Sequence, residues 1–283
     1  MSRRDRGPLL VGIDIGASTT KGVVLEKMKI KYKFYLKTSN GRSTAAQVMK
    51  TLLTQIDNDS TVQRVAVTGC YSRLIGKELL SIPVQKVDEI TATGIGGLFM
   101  SSKRQALIVS VGTGTAIISA LDCGRDIRHV GGTGVGGGTV MGLAKRMLGV
   151  NDFQALEALA SKGNVNMADL TVGDIAGGPV GIVPAEATAS NLARLNRKTS
   201  REDVTAGIFN LVSQVVGVVS VFAAKSCNLS EEIFFVGRLV QSPLVSNMIN
   251  QTAKMFGYKS LMPKDGEYCT AWGAALGIFG KKY

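Results

Sequence analysis

Three glycine-threaded segments and one acidic pair carry the residues of this chain best suited to chemistry. The first is Asp14-Ile15-Gly16-Ala17-Ser18-Thr19-Thr20-Lys21, between two β-rich runs. Gly16 permits a turn that, with Ser18, can turn backbone N–H groups toward a phosphate. Asp14 at the strand end suits a magnesium ion held through water, because that hard cation prefers oxygen and keeps part of its hydration shell. Lys21 can neutralise phosphate charge. An ordinary hairpin with a surface aspartate uses the same residues, so the reading gains weight from repetition. The second segment, Val111-Gly112-Thr113-Gly114-Thr115, again follows a buried run and offers the hydroxyls of Thr113 and Thr115 to a phosphate or a substrate hydroxyl. The third, Val130 to Thr139, has six glycines in ten residues just before a helical pattern. There the N–H groups and the helix dipole are expected to meet a polyphosphate. No Gly-Lys-Ser/Thr follows, so it is not a Walker loop, and the acid of a dinucleotide fingerprint is missing. Between the first two segments lies the acidic pair Asp88-Glu89. A carboxylate at that strand end and helix start can take the proton of an attacking hydroxyl. An acid that complements the helix dipole is the alternative reading.

These residues must be held by a duplicated α/β framework. Leu9–Asp14, Thr19–Glu26 and Lys29–Lys37 read as a three-stranded meander, followed by a helix over Thr44–Ile56 capped by Ser43 and a strand over Gln63–Val67. Helices are expected over Ser72–Leu80 and Glu89–Met100. Strand, glycine turn and strand then recur at Ala106–Val111 and Ala116–Leu121, as two duplicated halves would show. Helices dominate after Gly138, among them Arg201–Ser226 with a Ser200-x-x-Asp203 start. Glu232–Gly237 and Lys259–Met262 read as late strands.

A chain of 283 residues, 45% hydrophobic and 19% charged, is long enough for two modest cores and is not expected to be disordered. Its net charge of +12 favours anionic partners. With no run of five like charges and no interleaved aromatic stripe, phosphate-bearing small molecules fit better than nucleic acid. The cysteines, Cys70, Cys123, Cys227 and Cys269, are scattered, which argues against a zinc site or a cluster held within one chain. No secretory signal is visible at the start, and a cytoplasmic location is expected. Thr205–Ala224 runs twenty residues without a charge, long enough to span a bilayer, but Asn210, Ser213 and Gln214 favour a helix buried in protein. It is expected to form part of a homodimer interface that aspartate at Val216 would disturb, with no membrane involved.

The order GIDIGASTTKG, IPVQKVDEI, VGTGT, RHVGGTGVGGGTVMGL, IVPAEATASNLARL, FFVGRLVQSPL, GEYCTAWGAALG resembles the type II pantothenate kinases over nearly all of the chain. The resemblance implies a duplicated ribonuclease-H-like, actin/hexokinase-type α/β fold with an ATP cleft between halves at 8–104 and 105–283. It also implies a homodimer, ATP with magnesium, transfer to the primary hydroxyl of pantothenate, and room for an acyl-coenzyme A regulator. By position, Asp14 is the magnesium-organising acid, Lys21 the phosphate lysine and Glu89 the catalytic base. Gly136, Gly137, Gly138 and Thr139 border the ATP phosphates, Gly237 lies near the adenosine, and Thr113, Thr115, Arg128 and His129 lie at the substrate. Five positions depart from the family pattern. His129 stands where an arginine is usual, Ala116 for a serine, Ala185-Glu186 for Gly-Asp and Thr270 for a glycine. Such changes can move the phosphate acceptor to another small alcohol. Two other readings use the same fold: a nucleotide or acyl-coenzyme A sensor, and an activator ATPase of a radical dehydratase with a [4Fe-4S] cluster. The latter needs cysteines in loops that hold none here.

Overall fold

The computed structural model describes residues 9–57, 61–229 and 231–278. It divides into two compact units. The first comprises the described residues of Met1–Ser110, Ile118–Val130 and Pro263–Tyr283; the second is Val111–Ile117 with Gly131–Met262. The boundary expected at residues 104 and 105 falls inside the first of these segments, and the last helix belongs to the first unit.

In the first unit, β1 (Leu10–Ile15), β2 (Thr19–Glu26) and β3 (Lys29–Lys37) form the expected meander. Then come α1 (Gly41–Leu53), β4 (Val65–Thr68), β5 (Glu78–Leu79), β6 (Ile82–Lys86) and α2 (Glu89–Ser101). Their strands form one sheet in the order β3-β2-β1-β4-β6-β5, with β4 parallel to β1 and β6 parallel to β4. Alternation along β1 decides which helix covers which face. Val11, Ile13 and Ile15 pack with Val48, Met49 and Leu52 of α1. Leu10 instead joins Ile95 of α2 and Ala271 and Ala275 of α8 (Cys269–Gly277). The two helices approach so closely that a Cβ on Gly273 would lie 1.8 Å from the carbonyl oxygen of Ala92.

Two local expectations change. The first helix starts earlier than expected, because Asn40 rather than Ser43 is its cap, its Oδ1 accepting from the amides of Arg42 and Ser43. The helix expected over Ser72–Leu80 is a single 3-10 turn, Ser72–Leu74, followed by strand β5, because Glu78 and Leu79 pair with Pro83 and Ile82. The apolar spacing suited both, and the pairing with β6 wins.

The second half of the chain continues with β7 (Ala106–Val111), β8 (Thr115–Leu121), β9 (Asp126–Thr133), α3 (Gly137–Leu148) and α4 (Phe153–Ala160). After β10 (Leu170–Thr171), α5 (Val172–Ala176) and β11 (Thr188–Ser190) comes α6 (Arg201–Ser226). It ends in β12 (Glu232–Val236), α7 (Pro243–Met255) and β13 (Lys259–Leu261), and the larger sheet runs β13-β12-β7-β8-β9. Among the described residues α6 is the one helix long and apolar enough to cross a membrane. It packs on α3, α4 and α7, and Ser200 caps it by accepting from the Asp203 amide at 3.1 Å. Asp169, fully buried, ties this region together, accepting from the Leu192 amide at 2.7 Å and from Asn210 Nδ2 at 2.7 Å. Val216 is 1% exposed within this packing, so aspartate there would strike the unit's own core rather than an interface.

Candidate active site

The first unit assembles three of the expected chemical residues. Asp14, the last residue but one of the interior strand β1, is Lys21's register partner across the β1–β2 hairpin and Thr68's across the parallel β1–β4 pair. Antiparallel register puts opposite side chains on one face, and Lys21 Nζ lies 3.6 Å from Asp14 Oδ2. Asp14 is 6% exposed. Burial, only partly opposed by Lys21, pushes its carboxyl above the ordinary 3.8. The residue that makes room for this carboxylate is one that sequence reasoning passed over. Gly69, at φ +91°, follows β4, and a Cβ there would fall 2.5 Å from Asp14 Oδ1. The signal was present: Thr68-Gly69 closes the strand whose last residue pairs in register with Asp14. Thr68 Oγ1 is buried and has no hydrogen-bond partner among the described residues.

Glu89 is the first residue of α2, and Asp88 is its cap. Asp88 Oδ1 accepts from the Thr91 amide at 2.9 Å and the Thr91 hydroxyl at 3.0 Å. The acidic pair thus divides its work: the first acid is committed to the helix end and the second projects from it. The Glu89 carboxyl is raised from 4.5, first by the protein around it, then by the charges of Asp14 and Asp88, with Lys21 opposing. Cys70 is also raised, by partial burial and then by Glu89 and Asp14. The turn between β1 and β2 closes through Gly16 N–H to Thr19 O at 3.1 Å, and its Ser18 carbonyl accepts from the Thr38 amide at 2.9 Å. Arg128 and His129 sit exposed on β9, Arg128 Nε donating to Asp126 Oδ1 at 2.7 Å. Thr270, one of the departures, is accommodated by a 3.0 Å hydrogen bond with Thr93 between α8 and α2.

The second unit joins the other two glycine segments to each other. The Gly137 amide donates to Gly112 O and the Gly138 amide to Thr113 O, both at 2.8 Å. The Gly136 amide donates to Thr139 Oγ1 at 3.2 Å, and the Thr139 amide to Gly136 O at 3.0 Å. The expectation that these amides face a polyphosphate is therefore corrected: protein carbonyls and a hydroxyl already hold them. The glycines are needed for approach. A Cβ on Gly136 would come within 2.8 Å of both Gly114 Cα and Thr113 O, and one on Gly138 within 2.8 Å of Thr113 Cγ2. Thr115 is buried and its hydroxyl donates to Val135 O at 2.8 Å, while Thr113 stays exposed. Gly237, at φ +101°, follows β12 so closely against β7 that a Cβ would sit 2.4 Å from Val111 O. The loop thus ends in the start of α3, whose first amides are bonded within the unit.

Comparison with known proteins bears on the family and the fold. The Fumble family model matches residues 102–277, more than half of the chain. A type II pantothenate kinase of Bacillus cereus (strain AH820) is 30% identical over 284 residues, spanning 96% of this chain and 98% of that protein. Among solved structures, the activator of the 2-hydroxyisocaproyl-CoA dehydratase from Clostridium difficile with bound ADPNP matches with a TM-score of 0.69 at 18% identity, covering 96% of this chain and 94% of the other. A ROK family glucokinase from Streptomyces griseus in complex with glucose and AMPPNP matches with a TM-score of 0.60 at 14% identity, covering 94% and 98%. At such identities the two structures speak for the fold, the two-domain α/β ATPase type. The relatedness that reaches along nearly the whole sequence is to the kinases, and the chain belongs to the Fumble family, that of the type II pantothenate kinases.

Proposed function

We propose that this chain transfers the γ-phosphate of ATP to the primary hydroxyl of pantothenate, the first step of coenzyme A synthesis. The observation that carries this reading is the grouping of Asp14, Lys21 and Glu89 in one unit of a chain related to pantothenate kinases over 96% of its length. Glu89 accepts the hydroxyl proton as the new O–P bond forms, and the electron pair of the broken bond leaves with ADP. Lys21 offsets phosphate charge. Gly136, Gly137, Gly138 and Thr139 border the phosphates through the start of α3, and Gly237 borders the adenosine. Gly16 and Ser18 belong to the phosphate-facing turn. Thr113, Arg128 and His129 contact the acceptor, whereas Thr115 holds the loop. Magnesium fits at Asp14, since a buried carboxylate beside an unpartnered Thr68 hydroxyl is a hard-oxygen environment for a cation that keeps its water. When bound, it supplies neutralisation of the triphosphate. The same proposal includes a cytoplasmic homodimer, formed through the half-exposed stripe of α6 around Val218 and Phe222, and acyl-coenzyme A as its regulator.

Turnover of ATP with pantothenate, pantothenate analogues and other small alcohols, with mass identification of the product, tests the assignment. Phosphopantothenate is expected, and Arg128→Ala is expected to raise KM for pantothenate by at least about tenfold, the loss of one charge-assisted hydrogen bond. ATP binding without phosphorylation of pantothenate, by wild type and by His129→Arg alike, would overturn the substrate while leaving a kinase of another alcohol.

A further inference from the structure

The first unit has a cavity that the proposed chemistry does not use. It measures about 800 Å³ and is lined by residues from the start of β3, the C-terminal end of α2, the segment after it, and α8. Glu89 opens α2 and Leu98, Phe99 and Met100 line the cavity, so it lies about 14 to 16 Å along the helix axis from the proposed base at 1.5 Å per residue. Its size is in the range that holds a drug-sized organic ligand.

Two kinds of lining meet here. One wall is aromatic and apolar: Phe99 and Trp272 pack with ring centroids 5.3 Å apart, beside Met100. Hydrogen bonding of Trp272 Nε1 to Met28 O, at 3.2 Å, fixes the indole in that wall. The other wall is cationic, with Lys29, Lys103 and Arg104. The acid in the lining, Asp265, is already ion-paired with Lys33 of β3, which lies outside the cavity. Lys103 and Arg104 are partly committed elsewhere: Lys103 has a partner of its own, Arg104 lies near the Asp122 carboxylate, and both offset the partial negative charge where α2 ends, a helix-end effect of about half a charge. Lys29, on a different element, has no such duty, so a positive excess remains. An apolar slot with a cationic rim selects an amphiphile of the opposite sign, since ring burial and charge pairing are satisfied together.

We infer that this cavity is a ligand site for an organic anion, a flat or apolar body of drug-like size carrying a phosphate, sulfonate or carboxylate group, separate from the site of phosphoryl transfer. The inference stands apart from the substrate assignment and survives its failure.

Trp272 is the chain's single tryptophan, which makes the site self-reporting. The full chain is titrated with 8-anilinonaphthalene-1-sulfonate and with N-phenyl-1-naphthylamine, the same ring system without the sulfonate, following energy transfer from Trp272. Saturable binding of the sulfonate is expected, at least about tenfold tighter than the neutral amine, or 1.4 kcal/mol. Lys103→Ala with Arg104→Ala should remove that preference and leave the amine nearly unchanged. Because Arg104 Nε also contacts Cys123 Sγ at 3.3 Å, the exposed strand residue Lys29→Ala serves as a second variant, expected to weaken the sulfonate alone. A non-hydrolysable ATP analogue at saturation should leave the titration unaltered. Equal affinity for the two probes, unchanged sulfonate binding in both folded variants, or displacement by the ATP analogue would each overturn the inference.

Discussion

Replacing Glu89 by glutamine keeps the size and hydrogen-bonding reach of the side chain and removes its ability to hold a proton. The structure makes this substitution selective within the acidic pair. Asp88 spends its Oδ1 on the Thr91 amide and hydroxyl, at 2.9 and 3.0 Å, so taking up a proton would weaken the charged cap of α2, a cost that Glu89 does not bear. Loss of a positioned general base lowers turnover by about 10² to 10⁴, which is about 2.7 to 5.4 kcal/mol of barrier at 1.36 kcal/mol per decade. Asp88→Asn keeps a good capping side chain and should change kcat less than about threefold, since asparagine and aspartate are near equals at that position. The Glu89 carboxyl is raised above 4.5. In wild type kcat should therefore fall as pH falls through that raised value, starting at a higher pH than for an ordinary glutamate, and level off above it. The residual rate of Glu89→Gln should lack this acid limb. The assay is coupled ADP release at saturating ATP and pantothenate over a pH series that starts below the ordinary glutamate value of 4.5 and runs upward until kcat is level, with nucleotide affinity measured separately. Glu89→Gln within tenfold of wild type, or Asp88→Asn falling as far as Glu89→Gln, would refute the assignment of the base.

Asp14→Asn should abolish turnover yet raise the melting temperature at neutral pH. A carboxyl raised in the fold binds its proton more tightly there than when unfolded, so wild-type stability falls as pH rises from 3.8 through the raised value, and the variant's advantage should vanish in acid. Gly136→Ala should weaken ATP binding by at least about tenfold, or 1.4 kcal/mol, because its Cβ would meet backbone at 2.8 Å. Gly142→Ala in the same helix α3, where a Cβ meets nothing within 4 Å, should leave ATP binding intact and stabilise by about 0.5 to 1 kcal/mol. Val218→Asp, half-exposed on α6, should give a folded monomer by light scattering, whereas Val216→Asp, 1% exposed, should unfold the unit; a dimeric Val218→Asp would exclude that face.

The sequence by itself determined the meander, the recurrence of strand, glycine turn and strand, and the long capped helix at 201–226, because these depend on period, cap and turn chemistry within a few residues. It also narrowed which residues could do chemistry, since Asp14, Lys21 and the pair Asp88-Glu89 stand out by type and by position near strand ends and helix starts. Tertiary structure alone decided how they are used. The return of α8 beneath β1, the pairing that turned Glu78-Leu79 into a strand, and the division of the acidic pair into cap and base candidate each rest on packing and hydrogen bonds that spacing along the chain does not reveal. The glycine-rich loop shows this most clearly. Its composition announced close backbone approach, but whether the approaching group was a phosphate or another loop depended on where Gly112 and Thr113 lay in space. They lie against Gly137 and Gly138, whose amides their carbonyls hold at 2.8 Å, across more than twenty residues of intervening chain.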